Sequence, residues 1–145
     1  MKRVIGLDVG DKRIGVAISD ELGITARGLF TLERKNIKVD TQQLIDTIRE
    51  NECSNVIIGL PLNLSGQDSV QTEKVRIFAE KIRNKLTSNS MKDVEVILYD
   101  ERFTTVLAER AMEEGNASNK KIKTLIDQQA AVILLEDWLR ANPQR

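Results

Sequence analysis

The sequence predicts an α/β protein with a five-stranded mixed sheet of strand order 3-2-1-4-5 and helices on both faces. Three apolar segments rich in β-branched residues, separated by short turns, lie within residues 4–33. This pattern is typical of an antiparallel meander. Helical and strand-like segments then alternate along the rest of the chain. Because such alternation requires crossover connections, the fourth and fifth strands are expected to run parallel to the first.

The predicted meander consists of strands at 4–9, 13–19 and 25–33. Residues 10–12, with the sequence Gly-Asp-Lys, separate the first two strands and are a hairpin signal. A second short connection runs from Asp20 to Gly23. Connections this short join antiparallel neighbours, so the three strands are expected to lie side by side.

The remaining elements are predicted from apolar periodicity and from capping residues. A helix at about 40–51 is expected to begin at Asp40 as its N-cap, with Gln43 completing a capping box. The apolar strand from Asn55 to Pro61 ends at the proline, and a polar loop from Leu62 to Ser69 follows. The other predicted elements are a helix at about 69–87, a strand at 94–100, a helix at 104–114 and a final helix at about 120–141. This element order and strand order are those of the ribonuclease H-like fold.

Length and composition are those of an ordinary soluble protein. We expect residues 1–145 to form a single domain, because this length can bury a core without disulfides or metals. No apolar segment has the length of a signal peptide or of a membrane span. Cys53 is the only cysteine, which excludes an internal disulfide. These features favour a cytoplasmic protein with no membrane partner.

The absence of histidine restricts the chemistry more sharply. With 0 His in the chain, Ser-His-Asp and Cys-His catalysis, an imidazole base and zinc sites built from His and Cys are all excluded. An enzyme of this composition must use carboxylates, Lys, Arg, hydroxyl groups or backbone amides. Clustered carboxylates need a counter-charge, and hard oxygen ligands suit Mg²⁺ or Mn²⁺.

Asp8 lies inside the first predicted strand, where an isolated charge is costly. Strand alternation places it on the same face as Gly6 and Gly10. We expect these two glycines to leave that face open beside the carboxylate. The alternative is an aspartate at a strand end that forms an ion pair with Lys12 or Arg13.

Two further carboxylates occupy unusual positions. Glu101 follows the last predicted strand, at the sheet edge where α/β proteins bind ligands. An acidic residue at the start of the following helix is the alternative. Asp127 shares a helix face with Ala130, Ala131 and Leu134, so it is expected to point toward the sheet. Here the alternative is a favourable interaction with the helix dipole.

The predicted strand order brings Asp8, Glu101 and Asp127 toward one place. Three carboxylates repel one another unless a proton or a cation is bound. Two divalent ions held by such a cluster suit in-line hydrolysis of a phosphodiester. The residues therefore predict a site for Mg²⁺ or Mn²⁺ in which all three acidic residues are metal ligands and catalytic residues.

Four segments also resemble the motifs of a known family: GLDVGDKRIGVAISD (6–20), IIGLPLNLSGQDS (57–69), YDERFTT (99–105) and DQQAA (127–131). Their order is similar to that of the YqgF (RuvX) family, a bacterial branch of the ribonuclease H-like superfamily related to the RuvC resolvases. The resemblance implies a hydrolase, a metal-dependent endonuclease, with Asp8, Glu101 and Asp127 as its acidic active-site residues. RuvC-type resolvases carry their glutamate after the fourth strand, whereas residues 59–63 here contain no acid.

The resemblance further implies a nucleic-acid partner. Family members are regarded as processing the 5′ end of the precursor of 16S ribosomal RNA, which makes ribosomal particles expected partners. They are also described as Holliday-junction resolvases acting on branched DNA. The residues expected to bind substrate are Lys12, Arg13, Asn63, Ser65, Arg102, Lys120 and Lys121. For each of them, a solvated or structural role is the alternative.

Two other functions remain open from the sequence. The segment GLDVG also resembles the first phosphate-binding hairpin of actin-like and sugar-kinase ATPases. Those proteins generally need two such domains and a second phosphate motif, which this chain lacks. The other alternative is a non-catalytic module that binds RNA. Three inward carboxylates favour the nuclease over both, while the sequence leaves the oligomeric state undecided.

Overall fold

A computed structural model describes residues 2–101 and 120–143, with side chains from residue 124 onward in the second segment. The elements in chain order are β1 (Arg3–Val9), β2 (Arg13–Ser19), β3 (Ala26–Glu33), α1 (Ile37–Glu50), β4 (Cys53–Leu60), α2 (Val70–Ser88), β5 (Glu95–Asp100) and α3 (Lys120–Ala141). The helix predicted at 104–114 lies outside the described residues. No helix in the described segments is long and apolar enough to cross a membrane.

The sheet confirms the predicted topology. Its strand order is β3-β2-β1-β4-β5. β1 and β2 pair antiparallel, as do β2 and β3, whereas β1 with β4 and β4 with β5 are parallel. The carboxyl ends of β1, β4 and β5 therefore meet at one edge of the sheet.

Helices cover both faces of the sheet, as predicted. On one face, Ile5, Leu7 and Val9 of β1 pack with the apolar sides of α1 and α2. On the other face, Val4 and Ala17 pack against α3. The α3 residues in this second cluster are Ala131, Leu135, Trp138 and Leu139. Successive β1 side chains thus enter different cores, and Asp8 lies on the α3 side.

The start of α1 differs from the prediction. The helix begins at Ile37, and its N-cap is Asn36, whose side chain accepts a hydrogen bond of 2.9 Å from the backbone N–H of Val39. Asp40, predicted as the cap, lies inside the first turn and is buried. Its carboxylate accepts a 3.0 Å hydrogen bond from the backbone N–H of Lys35. The prediction was wrong because Asn36 provides the cap one turn earlier.

One of the two glycines beside Asp8 does not leave the face open as predicted. A Cβ atom at Gly6 would lie 3.0 Å from the Cβ of Leu135, so α3 covers this position instead of leaving it open. At Gly10, a Cβ would lie 2.9 Å from the carbonyl oxygen of Arg13 across the hairpin turn. These glycines therefore permit close helix packing and a tight turn, and the expectation of an open face was wrong at Gly6.

Tyr99 on β5 is held by α3. Its hydroxyl donates a 2.7 Å hydrogen bond to Asp137. Burial, followed by this interaction with Asp137, raises the pKa of Tyr99 to about 12. Because the folded-state pKa lies above the ordinary value of 10.0, this residue's contribution to stability is lost as pH rises from 10 through about 12.

We expect the tyrosinate absorbance of the folded protein to titrate with a midpoint near pH 12. Tyr99 is the only tyrosine, so the spectroscopic signal belongs to one group. Asp137→Asn should lower this midpoint toward that of free tyrosine, because the neighbouring negative charge is removed. A wild-type midpoint at the ordinary value, with the fold intact, would contradict the assigned environment.

Candidate active site

A pocket of about 420 Å³ opens at the sheet edge where β1, β4 and β5 end. Its lining comes from the β1–β2 hairpin, the ends of β4 and β5, the first turn of α2, and α3. The lining residues are Asp8, Val9, Gly10, Asp11, Lys12, Arg13, Gly59, Pro61, Gln71, Glu101 and Asp127. All three acidic residues singled out in the sequence thus face the same pocket, although they come from different parts of the chain.

Each of the three carboxylate residues is buried and fixed by its own element. Asp8 is the penultimate residue of β1 and is 4% exposed. Glu101, 3% exposed, follows β5 directly, and its backbone N–H donates to the carbonyl oxygen of Leu60 at 3.2 Å. Asp127, 6% exposed, lies on the face of α3 that packs on the sheet. Buried carboxylates are rare unless they are paired or bind a cation, so this concentration of charge calls for a counter-charge.

Two glycines on the strands beside β1 explain how the acidic residues come together. Gly15 lies opposite Asp8 in the β1–β2 register, and a Cβ atom there would collide with the backbone carbonyl of Asp127. Gly59 lies one residue beyond the Leu7–Ile58 pair of β1 and β4, and a Cβ there would overlap the Glu101 carboxylate. Asp8 is therefore flanked by glycines on both sides, and each glycine makes room for one of the other acidic residues.

Arg13 supplies part of the counter-charge. Its Nε donates a 2.6 Å hydrogen bond to Oδ2 of Asp127, and the two side chains are 18% and 8% exposed. The sequence predicts Arg13 as a substrate contact, with an ion pair to Asp8 as the alternative. Arg13 does line the pocket, and the carboxylate with which it forms an ion pair is that of Asp127.

The donor set fits a hard divalent cation by its chemistry. Three carboxylates line one open pocket, and Gly59 leaves the volume that the Glu101 carboxylate fills. Such all-oxygen donor sets suit Mg²⁺ or Mn²⁺. Within the described segments, however, no three acidic or cysteine side chains converge closely enough to hold one ion as they stand. Shared binding of an ion by Asp8, Glu101 and Asp127 therefore requires side-chain movement.

The other predicted substrate residues have different positions. Lys12 is exposed at the rim of the pocket. Asn63 and Ser65 lie outside the pocket lining, and Oδ1 of Asn63 accepts hydrogen bonds from the Ser65 hydroxyl at 2.7 Å and the Gln67 N–H at 2.8 Å. These two residues brace the loop between β4 and α2. Arg102, and the side chains of Lys120 and Lys121 at the start of α3, lie outside the described part of the structure.

Sequence reasoning missed Gly15, Gly59 and Gln71. The Gln71 amide reaches the carbonyl oxygen of Val9 at 3.5 Å and so closes one side of the pocket. Ser69 was available as a signal, since it caps α2 in a capping box with Thr72 and places the first turn of that helix at the sheet edge. The two glycines could have been found by asking which residues flank Asp8 in neighbouring strands.

Comparison with solved structures identifies the fold. The fold is similar to Thermus thermophilus RuvC in complex with a Holliday junction substrate, with a TM-score of 0.59 and 14% identity, covering 100% of this chain and 99% of that one. It is also similar to the yeast mitochondrial Holliday junction resolvase Ydc2, with a TM-score of 0.53 and 11% identity, covering 97% and 81% of the two chains. At these identities the likeness shows the fold alone, which is the ribonuclease H-like fold shared by these two resolvases.

Sequence comparison then gives the family. The profile of RuvX, described as Holliday junction resolvase, matches residues 2–141. A protein from Clostridium tetani is 42% identical over 137 residues, covering 94% of this chain and 95% of the relative. One from Koribacter versatilis is 44% identical over 137 residues, covering 94% and 86%. Both carry the name "Putative pre-16S rRNA nuclease". The chain belongs to the RuvX family, and the description of that family and the names of these relatives are those of nucleases.

Proposed function

We propose that the protein is a metal-dependent endonuclease that processes the 5′ end of the precursor of 16S ribosomal RNA during ribosome biogenesis in the cytoplasm. The observation that carries the proposal is the convergence of Asp8, Glu101 and Asp127 on one open pocket at the carboxyl edge of the sheet. The names of relatives more than 40% identical support this choice of substrate. They also favour a nuclease over the ATPase suggested by the GLDVG segment.

The positions of the side chains in the pocket support the proposed catalytic roles. Asp8, Glu101 and Asp127 would hold Mg²⁺ or Mn²⁺, which supplies positive charge for the attacking and leaving oxygens of a phosphodiester. The glycines at positions 15 and 59 keep the acidic residues at one edge of the sheet, so the chain contributes a concentration of negative charge. The pocket is open to solvent, so a strand of nucleic acid could approach it.

Basic residues around the pocket would position the substrate backbone. Lys12 is exposed at the rim, and Arg13 lies inside the pocket. With Arg102, Lys120 and Lys121, these residues are proposed to contact phosphates, which would make binding salt-dependent. Asn63 and Ser65 are proposed to act through the loop that they brace. The ribosomal particle that carries the precursor is the proposed partner.

A second candidate substrate is a four-way DNA junction. The description of the RuvX family favours it, as does the fold shared with RuvC. Both substrates would use the same acidic pocket, so the pocket alone does not distinguish them. The two activities can be compared directly on purified nucleic acids.

The test is cleavage of a labelled precursor of 16S rRNA and of a four-way DNA junction, each with Mg²⁺, with Mn²⁺ and with EDTA. We expect cleavage of the precursor with either metal, loss of cleavage in EDTA, and cleavage of the junction at least about tenfold slower, a difference of about 1.4 kcal/mol in the barrier. Mature 16S rRNA is the control and should remain intact at its 5′ end. Preferential cleavage of the junction would assign the second substrate, and cleavage in EDTA would contradict metal dependence.

A further inference from the structure

The Arg13–Asp127 ion pair lies inside the proposed metal site. Its two side chains come from β2 and from α3, 114 residues apart in the chain. Both are largely buried, at 18% and 8% exposure, so the pair is poorly screened by solvent. The backbone of Asp127 lies against Gly15, which fixes α3 over the hairpin.

The contact uses one nitrogen and one oxygen. Nε of Arg13 donates to Oδ2 of Asp127. A cation coordinated by that oxygen would sit where the arginine N–H now points, and two positive charges at that separation repel each other strongly in a partly buried site. Repulsion between the two positive charges would therefore make the metal and the guanidinium compete for Oδ2.

We propose that Arg13 is an internal competitor of the metal: it neutralises and holds Asp127 in the metal-free protein and must release Oδ2 when a divalent cation binds. This inference rests on the metal site of the proposed function. It accounts for two observations together. The three acidic residues line one pocket, yet in the described segments no three such side chains converge on a single point. The contact with Arg13 holds Oδ2 of Asp127 at the start of β2.

Release of Asp127 also gives Arg13 a second role. Neither Nη nitrogen of Arg13 donates a hydrogen bond to a residue in the described segments. Arginine binds phosphate through paired N–H groups, and Arg13 already lines the pocket. A substrate phosphate that attracts the guanidinium would weaken its hold on Asp127. Substrate and metal binding would then favour each other through this one side chain, as linkage requires.

The test is calorimetric titration of the full chain with Mn²⁺, comparing wild type, Arg13→Gln and Lys12→Gln. Lys12→Gln is the matched control, because it removes the same charge from the neighbouring residue of the same pocket but leaves Asp127 paired. We expect Arg13→Gln to bind Mn²⁺ at least about tenfold more tightly than wild type. Lys12→Gln should change the affinity by about threefold or less, since Lys12 is exposed and screened.

The outcomes separate the inference from the proposed function. If both variants raise the affinity equally, or if Arg13→Gln weakens binding, the competition is refuted while the metal site remains. If no form binds Mn²⁺ at millimolar concentration, the competition and the metal dependence are both refuted. Thermal unfolding provides a second measurement. In EDTA, Arg13→Gln should have a melting temperature several degrees below that of wild type. Addition of Mn²⁺ should raise the melting temperature of Arg13→Gln by more than that of Lys12→Gln.

A measurement on the wild type covers the case in which Arg13→Gln does not fold. The Nε–H resonance of Arg13, assigned by its loss in Arg13→Lys, should exchange slowly with water in EDTA because it is hydrogen-bonded and buried. Saturation with Mg²⁺ should shift this resonance and speed its exchange several-fold. An Arg13 signal unchanged at saturating Mg²⁺ would show that metal and arginine bind Asp127 together, which overturns the proposal.

Discussion

Replacing Asp8 by asparagine is expected to reduce the cleavage rate by at least about 10³-fold while leaving the protein folded. Asp8 is the central member of the cluster. It lies between Gly15, which packs against Asp127, and Gly59, which packs against Glu101. Asparagine keeps the size and shape of the side chain but removes the charge that a divalent cation requires. The stability of Asp8→Asn should equal or exceed that of wild type, because repulsion among the carboxylates falls.

The measurement is single-turnover cleavage at saturating enzyme, with thermal unfolding of the same samples. Asp46→Asn is the matched control, because Asp46 is half exposed on α1 and contacts only Arg49 and Gln42 in the described structure. It should retain activity within about threefold of wild type. Asp8→Asn that cleaves at the wild-type rate would refute the assignment of the acidic cluster as the catalytic site.

Replacing Gly15 by alanine should produce the largest loss of stability among single substitutions near the site, about 2–4 kcal/mol. The added Cβ would collide with the backbone carbonyl of Asp127, which cannot rotate out of the way. The whole of α3 would have to move from β2, and this would displace Asp127 from the pocket. We therefore expect cleavage activity to be lost together with stability, measured by urea unfolding and by the single-turnover assay.

Gly28→Ala is the control for this prediction. Gly28 is on the neighbouring strand β3 and faces Gln128, the residue that follows Asp127 in α3. A Cβ at Gly28 would lie 2.5 Å from Oε1 of Gln128. The obstruction is the end of a flexible side chain, which can adopt another rotamer at a cost of about 1 kcal/mol. Equal losses of stability in Gly15→Ala and Gly28→Ala would show that the α3 backbone does not limit the packing at Gly15.

The sheet and its acidic residues were predictable because both depend on local patterns. Apolar alternation identifies the strands, and short turns fix the meander; crossover rules then fix the order 3-2-1-4-5. Alternation also places Asp8 and Glu101 on the α3 side of the sheet, and helical periodicity turns Asp127 toward them. A charged residue at an inward position is visible in a sequence without any knowledge of its partners.

The contacts between these elements were not predictable in the same way. The Arg13–Asp127 pair depends on how α3 lies across the hairpin, and no local pattern specifies that relation. Gly15 matters only because of the β1–β2 register, which sets it opposite Asp8. The cap of α1 was misplaced because Asn36 and Asp40 are both plausible caps, and only packing shows that Asp40 is buried.

The structure also clarifies the difference from the RuvC arrangement. RuvC-type resolvases are expected to carry a glutamate after the fourth strand, where this chain has no acid. Here Glu101, from the end of β5, places its carboxylate over Gly59 of β4. A carboxylate thus reaches the end of the fourth strand from its neighbour.

The most direct test of the metal site is anomalous diffraction from crystals soaked in Mn²⁺. We expect an anomalous peak inside the pocket, in contact with Asp8 and Glu101, with Asp127 turned toward the ion and away from Arg13. Crystals of Asp8→Asn soaked in the same way should lack that peak. Manganese bound elsewhere on the wild-type protein, with no peak between Asp8, Glu101 and Asp127, would show that these three residues do not form a metal site.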